Sequence, residues 1–131
     1  MKTIHAIRAL FVVSGLYDGV LGLAFLLAGP AILDHFGVPQ PNHPGYVQFS
    51  ALLLVVFAWM FFAIAFNPYA NRNLILYGIL LKFSYSGVVF YYWLTTGLPG
   101  LWKPFALIDL LFAALFAWSI AATRAPVPSD Q

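Results

Sequence analysis

Four mostly apolar stretches, each about as long as a membrane-crossing helix of ~20 residues, take up nearly all of this chain. They run over 6–28, 46–66, 73–95 and 102–122. At 1.5 Å rise per residue such a stretch spans the hydrocarbon core of a bilayer. The breaks between them carry stop signals: Gly29-Pro30 after the first, Asn67-Pro68 after the second, and Gly97-Leu98-Pro99-Gly100 after the third. Pro104 falls in the first turn of the fourth, where a missing N–H costs little. The expected fold is all-α: an integral membrane four-helix bundle running up-down-up-down. A single four-span domain covers 1–124, and the aperiodic 125–131 is expected to be a disordered tail.

Composition excludes the main competing class. Only 8% of the 131 residues are charged, against about 25% in a soluble domain, so a water-soluble monomer has too few charges to cover its surface. The acidic residues are Asp18, Asp34, Asp109 and Asp130, and glutamate is absent. A net charge of +2 from scattered Lys and Arg offers no basic patch, so nucleic acid is excluded as a partner. The absence of cysteine removes disulfides, thiolate metal sites, cysteine nucleophiles and thioether or palmitoyl anchors.

Orientation follows from the placement of Lys and Arg. Lys2, Arg8, Arg72 and Arg124 fall on one side, and only Lys103 on the other. Both termini are therefore expected in the cytoplasm, in a multi-pass protein of the cell inner membrane. Tyr46, Tyr91, Tyr92, Trp93 and Trp102 gather at the outer boundary, and Tyr69, Tyr77 and Trp118 at the inner one. The first span is too long for the apolar region of a signal peptide and carries Asp18, so it is expected to be retained.

Three ionisable residues lie within the spans: Asp18, Lys82 and Asp109. Each costs about 2.5–3.5 kcal/mol at mid-bilayer on an insertion scale, so each should face the protein interior and find a partner. Helical rise places Asp18 ~16 Å and Lys82 ~14 Å from the cytoplasmic ends of their spans, and Asp109 ~10 Å from the outer end of its own. One central layer is thus within reach of all three, with Lys82 expected to pair with Asp18 and with Asp109 nearby as a second acceptor or as a protonated donor. Ser14, Gly15, Gly22 and Phe25 share the Asp18 face. Gly78, Tyr85, Ser86 and Val89 share that of Lys82, and Ala106, Ala113 and Ala117 flank Asp109. Small residues beside polar ones suit close helix packing in lipid. Tyr17 and Tyr85 are expected to add hydroxyls to the layer. Asp18, Lys82, Asp109, Tyr17, Tyr85 and Ser86 are the candidates for ligand binding or proton relay. Two readings stay open: polar glue that holds the bundle in register, or a site that binds a ligand or moves a proton.

Other signals are weaker. Gly15, Gly19 and Gly22 form a small-residue stripe that serves either a dimer interface or packing within the bundle. The loop between the first two spans holds Asp34, His35 and His43, at a spacing that matches no metal site, so no metal is expected. Instead, 31–36 reads as a short interfacial helix stopped by Gly37, and 38–45 as a rigid Pro-rich turn over the bundle mouth. Gln48 is expected to cap its helix or to bridge toward the central layer. His5 reads as a solvated residue at the cytoplasmic interface. Neither a Gly-rich phosphate loop nor HExxH nor a nucleophile elbow is present, so no cofactor is expected and no catalytic residue is named.

Gly15, Gly19, Gly22 and Pro30, the Asn67-Pro68 stop, and Lys82 with Asp109 make the chain resemble the DoxX-like group of small bacterial membrane proteins. That resemblance implies a left-handed four-helix bundle, and some members of the group are accessory subunits of oxidoreductase systems. Asp18 in the first of four spans also makes the chain similar to small multidrug resistance transporters, whose acidic residue is a glutamate in a different motif. In this chain Lys82 supplies a built-in counter-charge. The expected role is a small accessory or lipophilic-ligand-binding membrane subunit, with the bilayer and either a second copy or a partner membrane subunit around it. The alternatives are a proton-coupled transporter using Asp18 and a membrane isomerase that shuttles protons through the carboxylates and Lys82.

Overall fold

The computed structural model of the chain describes residues 2–124, so the tail expected over 125–131 lies outside the described residues. Four helices follow one another: α1 (Lys2–His35), α2 (Pro44–Phe66), α3 (Arg72–Leu94) and α4 (Trp102–Ala122). All four are long and apolar enough to cross a membrane. The distribution of side chains is inverted relative to a water-soluble domain. Leu27, Trp59, Phe66 and Leu94 stand far out on the surface, while Asp18 and Lys82 are each only 1% exposed. Such a surface is stable only in an apolar solvent, and the chain is a multi-pass membrane protein.

The helix ends follow from local chemistry. α1 continues past the expected stop at Gly29-Pro30 and reaches His35 through a kink, where Ala28 leaves helical geometry at φ −135° and ψ 22°. Pro30 cannot donate to the carbonyl four residues back, and its ring crowds that turn, so the backbone breaks just before it and then resumes. The segment beyond the kink is the short helix expected over 31–36. It ends where Gly37 takes φ +68° and the Val38 N–H turns back to donate to the Leu33 carbonyl at 2.8 Å. α2 starts with Pro44 at its first position, and the His43 ring Nδ1 accepts from the Gly45 N–H at 3.0 Å. At the other end of α2 the Asn71 side chain donates to the Ala63 carbonyl at 2.8 Å and closes the tight turn into α3.

The helices pair as two antiparallel hairpins. Along α1 and α2, Gly15 meets Phe62, Gly19 meets Ala58, Gly22 meets Ala51 and Gly29 meets Val47. A Cβ at Gly22 would lie 2.7 Å from the Ala51 carbonyl oxygen, so only glycine permits this approach. The small-residue stripe is therefore filled by the bundle itself. Along α3 and α4, Ser86 Oγ donates to the Ala106 carbonyl and Tyr85 Oη to the Trp102 carbonyl, each at 2.9 Å. At the far end of the same pair the Arg72 guanidinium donates to Thr123 Oγ1 and to the Ile120 carbonyl.

Two apolar clusters sit at different heights. Toward the chain's first residues, Ile7, Phe11, Phe61, Ile64, Ile75, Phe112 and Phe116 form a core in which the Phe11 and Phe116 rings stack at 4.7 Å. Toward the α1–α2 loop, Phe25, Leu33 and Ala51 form a smaller one that includes Trp102. The ionisable layer lies between them.

Candidate functional site

Helix packing brings side chains from three helices to one point. Lys82 on α3 extends across the bundle, and its Nζ donates to Asp18 Oδ1 on α1 at 2.9 Å and to Asp109 Oδ1 on α4 at 3.2 Å. All three residues are buried. The ammonium also lies 5.1 Å from the centre of the Phe112 ring, 5.4 Å from Tyr17 and 5.5 Å from Phe61. These rings belong to, or pack against, the larger aromatic core, so the cation rests on an aromatic floor.

Above that floor the two hairpins stand apart and enclose a cavity of about 490 Å³. Asp18, Lys82 and Asp109 form its polar end. Its walls are almost wholly apolar: Leu21 and Phe25 from α1, Leu54 and Phe57 from α2, Leu81 from α3, Phe105 and Trp102 from α4. Three residues on its rim, Tyr46, Ser50 and Leu53, are exposed, and all three lie on α2. The cavity therefore opens sideways along α2 rather than through the floor, which Phe11, Phe61, Phe112 and Phe116 close.

Hydrogen-bonding capacity is unevenly used. Each carboxylate meets Lys82 through one oxygen. Asp18 Oδ2 and the Tyr17 hydroxyl are buried without a partner, as is Ser14 Oγ one turn away. Buried polar atoms are paired in the great majority of cases, so three orphans on consecutive turns of α1 mark this spot as unusual.

Of the six residues singled out from the sequence, the structure places Asp18, Lys82, Asp109 and Tyr17 around the polar end of the cavity. Tyr85 lines the wall, but its hydroxyl is spent on the Trp102 carbonyl, nearer the loop end. Ser86 is buried and ties α3 to α4 without reaching the charges. Two neighbouring expectations are corrected. Gln48 is exposed and lines a separate cleft with Pro30, Leu33 and Gln40 rather than the cavity of the central layer, and the cap of α2 is His43. Ala117 is exposed as well, and Phe116 takes the buried place on that face. Sequence reasoning missed the aromatic floor, although Phe112 and Phe116 one turn apart on the Asp109 helix carried a signal for it. It also missed Phe57, Phe105 and the cavity itself. Among the described residues no group of His and Asp is arranged to hold a metal ion. No family model matches the chain, and no curated protein or solved structure matches it either.

Proposed function

We propose that this protein is a small inner-membrane subunit that binds a lipophilic molecule in the cavity between its two hairpins. In this reading the bundle runs up-down-up-down with both termini in the cytoplasm, and the cavity opens toward the outer half of the bilayer. The observation that carries it is the joining of a 490 Å³ apolar cavity to a buried ion cluster at its closed end. Binding sites for small molecules are of this size and kind, mostly apolar with a few polar groups that fix orientation. The sideways mouth along α2 lets a membrane-dissolved molecule enter without crossing water. As in the DoxX-like proteins that the sequence resembles, such a subunit can serve a larger membrane assembly.

The polar glue reading accounts for the ion pairs but leaves the cavity without a role. Small helices packed to native density would fill that space and would be more stable for it. The transporter reading uses the same Asp18, and its partnerless oxygen supports it. It also requires the aromatic floor to open on each cycle. A closed floor favours a site that holds a ligand.

The test is native mass spectrometry of the protein in nanodiscs, offered membrane-soluble small molecules. Wild type is expected to retain a small molecule, and Leu53→Trp, which places an indole at the mouth, is expected to lose it. Failure of wild type to bind any such molecule, or equal binding by Leu53→Trp, overturns the proposal.

A further inference from the structure

The charge count at the closed end of the cavity does not balance. Asp18 and Asp109 bring two carboxylates, Lys82 brings one ammonium, and no other Lys, Arg or His lines the cavity. With both carboxylates ionised the cluster carries one net negative charge in apolar surroundings, and either a proton on one carboxyl or a further cation neutralises it. The protein's own cation is already committed. Lys82 Nζ is held between the two carboxylates and packed against three rings, so it offers no open side to an anion. The free capacity is on the accepting side: Asp18 Oδ2, 1% exposed as a residue and without a partner, and the partnerless Tyr17 hydroxyl. The rings of Tyr17, Tyr85, Phe57, Phe105 and Trp102 line the same cavity, and aromatic rings are the side chains that attract an ammonium group through their faces.

We infer that the cavity takes a lipophilic amine, with its ammonium head against Asp18 and Asp109 and its apolar body along α2 and α4. This rests on the reading of the cavity as a ligand site and adds the chemical class. A carboxylate or phosphate head would face two carboxylates, with the one ammonium of the cavity already held between them. A neutral alcohol could use the orphan acceptors, but it forgoes the charge-assisted bond that an ammonium makes when it takes the place of a proton on the carboxylates.

Three probes of equal chain length separate these cases: decylamine, decanol and decanoate, each titrated at neutral pH into wild type, Asp109→Asn and Leu53→Trp in nanodiscs, with bound mass read by native mass spectrometry. Decylamine is expected to bind wild type about 10- to 100-fold more tightly than decanoate, the range of a charge-assisted hydrogen bond, and more tightly than decanol. Asp109→Asn leaves one carboxylate for one ammonium and should bring the three probes close together while retaining binding. Leu53→Trp should weaken all three. Decanol or decanoate binding wild type as tightly as decylamine overturns the amine assignment and leaves the ligand site standing. So does an amine preference unchanged in Asp109→Asn. No binding of any probe to wild type, or equal binding of all probes by Leu53→Trp, removes the ligand site and the amine assignment with it.

Discussion

Replacing Lys82 by methionine should be the most damaging single change in the ion cluster, and the structure gives both its size and its rank. Methionine keeps most of the chain length and its apolar contact with the rings, so the lost groups are the ammonium and its two hydrogen bonds, at 2.9 Å and 3.2 Å. Two buried carboxylates then face each other with no cation, and breaking a buried pair in this way costs about 3–5 kcal/mol. Asp18→Asn is milder because Lys82 keeps Asp109 and the cluster becomes neutral. It should cost about 1–3 kcal/mol for one charge-assisted bond. Asp109→Asn should cost least, since its bond is the longer one and its side chain is 11% exposed where that of Asp18 is 1% exposed. Replacing Asp18 and Lys82 together by Leu and Met still strands the Asp109 carboxylate. Only the triple replacement Asp18→Leu, Lys82→Met and Asp109→Leu should bring stability back toward wild type. Thermal unfolding in a mild detergent, followed by the loss of monodisperse protein, ranks the series. The reasoning is refuted if Lys82→Met unfolds at the wild-type temperature or is more stable than Asp18→Asn. A triple variant less stable than Lys82→Met refutes it equally.

Three further predictions address the frame around the cluster. Gly22→Ala should cost about 1–3 kcal/mol, because the new methyl group meets the rigid Ala51 carbonyl oxygen at 2.7 Å. Gly19→Ala, whose Cβ would sit 3.4 Å from Ala58, should be neutral or up to ~1 kcal/mol stabilising; the two are compared by the same unfolding assay. Arg72→Met removes the bonds to Thr123 and Ile120 at the end of α4, and a loss of about 1–3 kcal/mol is expected, read as faster proteolysis after the last turn. Because the chain has no native cysteine, Pro39→Cys and Ala70→Cys can be labelled one at a time with an impermeant maleimide in intact cells. Label on Pro39→Cys alone supports the proposed orientation, and label on Ala70→Cys alone reverses it.

Much of this architecture is legible in the sequence because the governing rules are local. Pro44, Asn67-Pro68 and Gly97 set helix ends through missing donors, side-chain caps and positive φ, and none of these needs knowledge of a distant residue. The meeting of Asp18, Lys82 and Asp109 in one layer follows from counting 1.5 Å per residue along spans whose ends are known. The errors have equally physical origins. Eight residues beyond Asp109, Ala117 has turned about 80° away from it, whereas Phe116, at seven residues, is off by only about 20°. A proline also reads as a stop, yet α1 resumes beyond Pro30. There the Gln40 side chain donates to the Pro30 carbonyl at 2.8 Å and holds the returning loop against the helix. The cavity was not legible at all. It depends on how far apart two hairpins stand, which is set by the sum of many side-chain volumes rather than by any spacing along one helix.

That separation also bears on why the charges are present. A four-helix bundle in lipid can be held by small residues and close packing, as α1 and α2 are along Gly15, Gly19 and Gly22. Between the hairpins this protein does the opposite, keeping α1 away from α3 and bridging the gap with one lysine that reaches a carboxylate on each side. The long side chain of Lys82 suits this gap: it ties α3 to α1 across the width of the cavity, where shorter partners would need the helices to come closer. If the bridge served cohesion alone, the apolar triple variant would lose nothing but the bridge. If it serves as the polar end of a binding site, the triple variant should fold and yet fail to retain an amine, a separation of stability from binding that a purely structural role does not require.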